Sequence, residues 1–248
     1  MIEVRDVKKS FGRQAVLNGV SLQIAQGESL VIIGRSGGGK SVLLKVLIGL
    51  LFPDAGAVLI DDQNIIGMNE RQLLKVRHKF GMLFQSAALF DSLNVADNIA
   101  FALRRERVHS EADIRQKVRD ALEMVELAGI EEKRPSELSG GMRKRVGLAR
   151  AIVYKPEIVL YDEPTTGLDP VVSDSIDQLI VRVRDRLEVT TVAVTHDMRS
   201  AGRIGQRIVM LHEGRIHASG TPDEIFKSTD PIVHRFVNGI SDPKELNF

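Results

Sequence analysis

The chain has 248 residues, with 34 Lys+Arg against 33 Asp+Glu and a formal net charge of +1. A balance this close to neutral argues against nucleic-acid binding through bulk positive charge. The absence of cysteine excludes disulfides, thiol nucleophiles, iron–sulfur clusters and Cys-ligated zinc.

Met1 leads straight into the charged, strand-like IEVRDVKK rather than a signal peptide. Val20, Leu22 and Ile24 alternate with polar residues, which predicts a strand with one buried face. After the turn at Gln26-Gly27, SLVIIG (29–34) is apolar throughout, as in a strand buried on both faces. A glycine-rich loop follows, then a helical face of Val42, Leu43, Val46, Leu47 and Leu50. The richest apolar run, Val42 to Phe52, is broken by Lys45 and Gly49. It falls short of the roughly 20 residues a membrane helix needs. A soluble, cytoplasmic-type protein is expected, on which any work at a membrane falls to another chain. AVLI (57–60) and FGMLF (80–84) predict two further strands.

From about Asn94 to Tyr154 the pattern turns helical. One helix has Ser110 as N-cap, Glu111 and Asp113 in its first turn, and Gly129 as its expected stop. Its face is Ile114, Val118, Ala121, Leu122 and Val125. A second runs from Ser139-Gly140-Gly141 to just before Lys155-Pro156. Strands then return at IVLY (158–161) and TTVAVT (190–195), separated by a helix that Asp169-Pro170 opens. That helix has Ile176, Leu179, Ile180 and Val183 on its inner face. RIVML and RIHASG flank Glu213-Gly214 as a hairpin, and Thr221-Pro222-Asp223-Glu224 is a capping box. Strands and helices alternating around a helical insert predict an α/β core with a helical subdomain.

GRSGGGKS, Gly34 to Ser41, fits G-x-x-x-x-G-K-[ST] between a buried strand and a helix. Gly34, Gly37, Gly38 and Gly39 let successive backbone N–H groups curl around phosphate oxygens, and the helix N-terminus adds positive potential. Arg35 and Ser36 contribute mainly backbone groups. Lys40 can reach β- and γ-phosphates, and the Ser41 hydroxyl can bind Mg²⁺. IVLYDEP (158–164) supplies the acidic end of a buried strand. There Asp162 would hold Mg²⁺, and Glu163 stands where a carboxylate can polarise the attacking water. Nucleoside kinases and small GTPases share these two motifs, so they leave the class open.

ELSGGMRKR (137–145) narrows it. LSGGM resembles the signature motif of ATP-binding cassette (ABC) ATPases, with Met142 where that family usually has Gln. Ser139 and the amides of Gly140 and Gly141 can grip a γ-phosphate, because they too form a helix N-terminus. The resemblance covers residues 1–225 and implies a P-loop NTPase (RecA-like) core with an N-terminal antiparallel β-subdomain. It also implies an inserted α-helical subdomain at about 90–156, with residues 226–248 as a C-terminal tail. It further implies that Gln85, ending the FGMLFQ strand, is a ligand of Mg²⁺ and water, and that His196 senses the γ-phosphate. Phe11 would stack on adenine, with Val16 on the same face, and TGLD (166–169) would cross a dimer interface. ATP is then the substrate and Mg²⁺ the cofactor. The implied partners are a second copy of the chain, head to tail, and integral membrane permease subunits, with no nucleic acid.

MLFQSAALFDSLNVADNIAF (82–101) and the tail VHRFVNGISDP (233–243) resemble the ATPases of Mla/MCE-type phospholipid transporters. That implies a peripheral protein on the cytoplasmic face of the bacterial inner membrane. A small regulatory subunit and an MCE-type substrate-binding protein would complete the system. Asp230-Pro231 is expected to cap a tail helix with Phe236 and Val237 on its apolar side and Gly239 as its stop. This tail is expected to pack on the second subunit. The ATPase of another importer, such as an amino-acid system, and a non-transport ABC ATPase are the alternatives.

Overall fold

The computed structural model describes residues 1–241, which divide into two compact units. The first comprises Met1–Leu73 and the chain from Ala193 on; the second is Leu74–Val192. The helical segment expected at about 90–156 lies inside the second unit.

In the first unit, β1 (Ile2–Phe11) pairs antiparallel with β2 (Gln14–Ile24). Burial on β1 passes from Ile2 and Val4 to Val7 because the register shifts between Val4 and Val7, around Asp6 at φ 44°. A bulge of this kind turns the strand by one residue, so both stretches keep their apolar side chains inside. Next come β3 (Ser29–Ile33), every residue of which is buried, and α1 (Lys40–Leu47). α1 is shorter than its apolar pattern suggests. Gly49 at φ 64° ends the helical path, so Leu50 is 51% exposed, and Leu44 is buried where Val42 was expected. β4 (Ala55–Ile60) and β5 (Gln63–Asn64) complete an antiparallel sheet of order β2-β1-β4-β5.

α2 (Glu70–Arg77) leads into the second unit, where β6 (Phe80–Leu83) precedes a helical stretch. Asn94 caps α3 (Val95–Glu106), accepting from the Asp97 N–H at 2.7 Å. The fully buried Asn98 amide is satisfied by Phe90, Leu93 and Asn94, and so pins residues 90–94 to α3. Ser110 caps α4 (Glu111–Met124) as expected, and all five expected face residues are buried. The helix does not reach Gly129. It ends at Met124 because Glu126 takes φ 59° and turns the chain, and Gly129 makes a separate, later turn. α5 (Gly140–Ile152) is followed by β7 (Ile158–Asp162), which pairs parallel with β6 from Phe80↔Ile158 to Leu83↔Tyr161. α6 (Pro170–Leu187) is capped by Asp169 and buries Ile176, Leu179, Ile180 and Val183. β8 (Thr190–Thr195) carries the chain from the second unit back to the first.

There α7 (Met198–Ile204) precedes β9 (Arg207–His212), which runs parallel to β3, and β10 (Arg215–Gly220), which returns as the expected hairpin. Thr221 and Glu224 form the capping box of α8 (Pro222–Phe226). Asp230 caps α9 (Pro231–Val237), accepting from the N–H groups of Ile232 and Val233 at 2.9 and 3.0 Å. Its apolar anchor is Val233, fully buried, whereas Phe236 and Val237 are only half-buried. Asp242 and Pro243 of the quoted tail lie outside the described residues.

One contact in the second unit predicts a large stability effect. A Cβ on Gly81 would stand 2.2 Å from the backbone oxygen of Ala151 and 3.1 Å from Pro156 Cγ. Backbone cannot yield as a flexible side chain can, so Gly81→Ala should cost about 2–3 kcal/mol. A fall of roughly 5–10 °C in apparent Tm is expected by thermal unfolding. An unchanged Tm would contradict the close seating of α5 on β6.

Candidate nucleotide-binding site

In the first unit the glycine-rich loop leaves β3 at Gly34, and α1 starts at Lys40 with Gly39 as N-cap. Gly39 has φ 95°, and a Cβ on it would meet the Val16 carbonyl at 2.9 Å. Both conformation and space therefore require glycine here. No side chain caps α1, and the positive end of a helix dipole favours an anion at such a terminus. Arg35, Ser36 and Gly37 are exposed and Gly38 is half-buried. Lys40 is 5% exposed, and its ammonium donates to the carbonyls of Gly34 at 2.8 Å and Arg35 at 3.0 Å. The cation is thus held on its own loop. Ser41 follows, half-buried in the first helical turn.

Phe11, at the end of β1, is 49% exposed with the Lys9 ammonium 5.6 Å from its ring centroid. An open ring face suits stacking on a base better than a place in the core. Val16 is half-buried. His196 is exposed directly after β8, one residue before the Asp197 cap of α7.

In the second unit, Asp162 ends β7 and is 6% exposed; Glu163, next to it, is 8% exposed. Glu163 takes φ 49°, a left-handed conformation rare for a residue with a side chain. The Thr166 hydroxyl donates to Glu163 Oε2 at 3.1 Å. Ser139 is the exposed N-cap of α5, its Oγ accepting from the Met142 N–H at 3.2 Å. Gly140 is half-buried and Gly141 buried; a Cβ on Gly141 would stand 2.6 Å from Val172 Cγ1, so this glycine lets α5 lie against α6. Asp169 serves its own chain, accepting from the N–H groups of Val171 and Val172 at 3.0 Å. Gln85 is exposed and stands two residues beyond β6 rather than at its end, because the strand pairing stops at Leu83.

The first unit thus holds Phe11, Gly34 to Ser41 and His196; the second holds Gln85, Ser139 to Gly141, Asp162 and Glu163. Within the second, Gln85 and Glu163 are joined by a residue the motif reading passed over. The Lys144 ammonium donates to the Gln85 carbonyl at 2.5 Å and the Glu163 carbonyl at 3.1 Å. Burial pushes its pKa down to about 8, against the opposing pull of the Glu163 and Asp162 charges. The signal was periodicity: Gly141, Lys144, Leu148 and Ala151 share the buried stripe of α5, and a lysine in such a stripe must find acceptors.

The family model described as "ABC transporter" matches residues 17–166. A probable ribonucleotide transport ATP-binding protein (mkl) of Mycobacterium leprae is 44% identical over 96% of this chain and 69% of its own length. The chain spans about two thirds of these mycobacterial relatives, 66% of the Mycobacterium tuberculosis form. The intermembrane phospholipid transport system ATP-binding protein MlaF of Haemophilus influenzae is 39% identical, covering 98% of this chain and 92% of MlaF. Among solved structures, the ATP-binding cassette MJ0796, in a dimeric post-hydrolysis state with ADP and Pi, matches with TM-score 0.82 and 32% identity. That match covers 90% of this chain and 99% of MJ0796.

Proposed function

Because this chain belongs to the ABC transporter family and carries its ATPase cassette, we propose that it drives a permease moving phospholipid between the inner and outer membranes. The observation supporting ATP hydrolysis most directly is Glu163, a nearly buried carboxylate beside Asp162 with a hydroxyl donor on one oxygen. Its role is to take the proton as water oxygen attacks the γ-phosphorus and the bond to the β-phosphate oxygen breaks, leaving ADP and phosphate. Lys40 and the loop amides hold the β- and γ-phosphates, Phe11 stacks on adenine, and His196 holds the γ-phosphate.

Ser41, Gln85 and Asp162 all present oxygen, the donor type Mg²⁺ prefers, and would hold that ion. When bound, it supplies charge neutralisation at the phosphates. Ser139, Gly140 and Gly141 grip the γ-phosphate of nucleotide bound by a second copy. That makes the working unit a symmetric head-to-tail dimer, in keeping with the dimeric state of MJ0796.

No helix among the described residues is long and apolar enough to cross a membrane. Separate permease subunits would therefore provide the pathway, with this chain on the cytoplasmic face of a bacterial inner membrane. Such a system also takes in an MCE-type substrate-binding protein and a small regulatory subunit. Support for lipid as cargo is the near end-to-end match to MlaF. The mkl relative is named for ribonucleotides, so cargo is the point to test. Purified from native membranes in mild detergent, the chain should bring down an integral membrane subunit carrying bound phospholipid, identified by mass spectrometry. A permease bound instead to a polar-solute receptor would overturn the lipid assignment, and recovery with ribosomes or DNA would overturn transport itself.

A further inference from the structure

α5 carries a buried cation, Lys144, and a half-buried one, Arg150, and the bonds of both run to main-chain carbonyls. Lys144 donates to the carbonyls of Gln85 and Glu163. Arg150, two turns on, donates to the carbonyls of Ala87 and Ala88, both at 2.7 Å. Three of these four acceptor residues adopt left-handed backbone: Ala87 at φ 60°, Ala88 at φ 47° and Glu163 at φ 49°. Residues with a Cβ enter that region at a steric cost and stay there only when surrounding bonds hold them. α5 is close enough to do this because position 147 is glycine. A Cβ there would lie 2.8 Å from Leu83 Cδ1 and 3.1 Å from Ala87 Cβ.

The two cations divide the work. Among the described residues, Arg150 bonds the loop after β6, whereas Lys144 bonds that loop and the residue after β7. Lys144 is 5% exposed, and an ammonium is costly to bury on neutral acceptors. A methylene side chain would fill the same space without that cost, but it would take the ammonium from both carbonyls and leave that of Glu163 to the longer bond from the Thr166 N–H at 3.3 Å. The peptide plane of Glu163 sets where its side chain starts, so fixing its carbonyl helps fix the carboxylate.

We propose that Lys144 is a positioning residue for hydrolysis: by holding the Gln85 and Glu163 carbonyls on one ammonium, it sets the Glu163 carboxylate toward the attacking water and ties that setting to the loop at 85–88. The proposal rests on Glu163 being the group that activates water. A displacement of the loop reaches the carboxylate through this side chain, and Ser139, at the head of the same helix, shares the frame.

The test is steady-state ATP turnover of the full chain carrying Lys144→Met, Lys144→Arg, Glu163→Gln, or Lys144→Met with Glu163→Gln. Lys144→Met should lower kcat about tenfold or more with KM for ATP within about twofold of wild type. Lys144→Arg, whose guanidinium can serve two carbonyls, should recover at least about a third of the wild-type rate. In the Glu163→Gln background, Lys144→Met should change the residual rate by less than about twofold, because the group it acts through is gone. A residue that merely supports the fold would lower that residual rate by its full factor, and this outcome overturns the proposal. So does a Lys144→Met rate within about twofold of wild type while Glu163→Gln is inactive. Wild-type turnover by Glu163→Gln overturns the base assignment and this role together. Should Lys144→Met fail to fold, Lys144→Gln, which can still donate to one carbonyl, is read by the same criteria.

Discussion

Replacing Glu163 by Gln should lower ATP turnover by about 10²- to 10⁴-fold while leaving ATP affinity within about twofold. The substitution conserves volume at a site only 8% exposed, so packing around β7 is preserved. The bond from Lys144 goes to the main-chain carbonyl and survives the change. The Thr166 hydroxyl, now 3.1 Å from Oε2, can still donate to an amide oxygen. What is lost is the proton acceptor, since an amide oxygen is far too weak a base for this purpose. In the proposed site, phosphate binding would fall to Lys40 and the loop amides, which the substitution leaves unchanged. If ATP joins two copies and hydrolysis parts them, the variant should also accumulate as a dimer with ATP and Mg²⁺ but not with ADP. Radiolabelled ATP turnover and size-exclusion chromatography with light scattering would read both effects. Wild-type turnover would sink the base assignment; lost turnover without dimer would leave the base in place and sink the clamp.

The fold was legible wherever burial was one-dimensional in the sequence. LVII (30–33) and IVLY (158–161) are unbroken by charge and became fully buried stretches of strand, and Ser110, Asp169, Thr221 and Asp230 each cap the helix they were expected to start. Helix ends were harder to read. Gly49 ended α1 ahead of Leu50, and Glu126, a residue with no turn preference to advertise, ended α4 ahead of Gly129. Stops of this kind depend on what the next segment packs against, which a local pattern does not contain. The motif residues of the proposed site were readable from the sequence because backbone cradles and strand-end acids need fixed spacings. Lys144 and Arg150 stayed hidden for the opposite reason. Their acceptors are carbonyls, which every residue owns, so no partner residue type marks the contact.

Lys40→Ala should weaken ATP binding by about 10- to 100-fold, the loss expected when a charged hydrogen-bond donor to phosphate is removed. The nearly buried ammonium bonds the Gly34 and Arg35 carbonyls, so two separate losses follow from one substitution. The loop loses two internal bonds, worth together about 1–3 kcal/mol of local stability, and the phosphates lose their cation. The two can be separated by ligand. AMP carries no β- or γ-phosphate for the lysine to reach, while in the proposed site adenine would still meet the Phe11 ring, which is exposed. Its weaker affinity should therefore stay within about threefold of wild type, a loss confined to loop order. Binding measured by calorimetry for AMP, ADP and ATP should show the penalty growing with phosphate number. An equal penalty for all three would mean that Lys40 only braces the loop. Unchanged ATP affinity would contradict the reading of residues 34–41 as a phosphate cradle, however well its spacing fits.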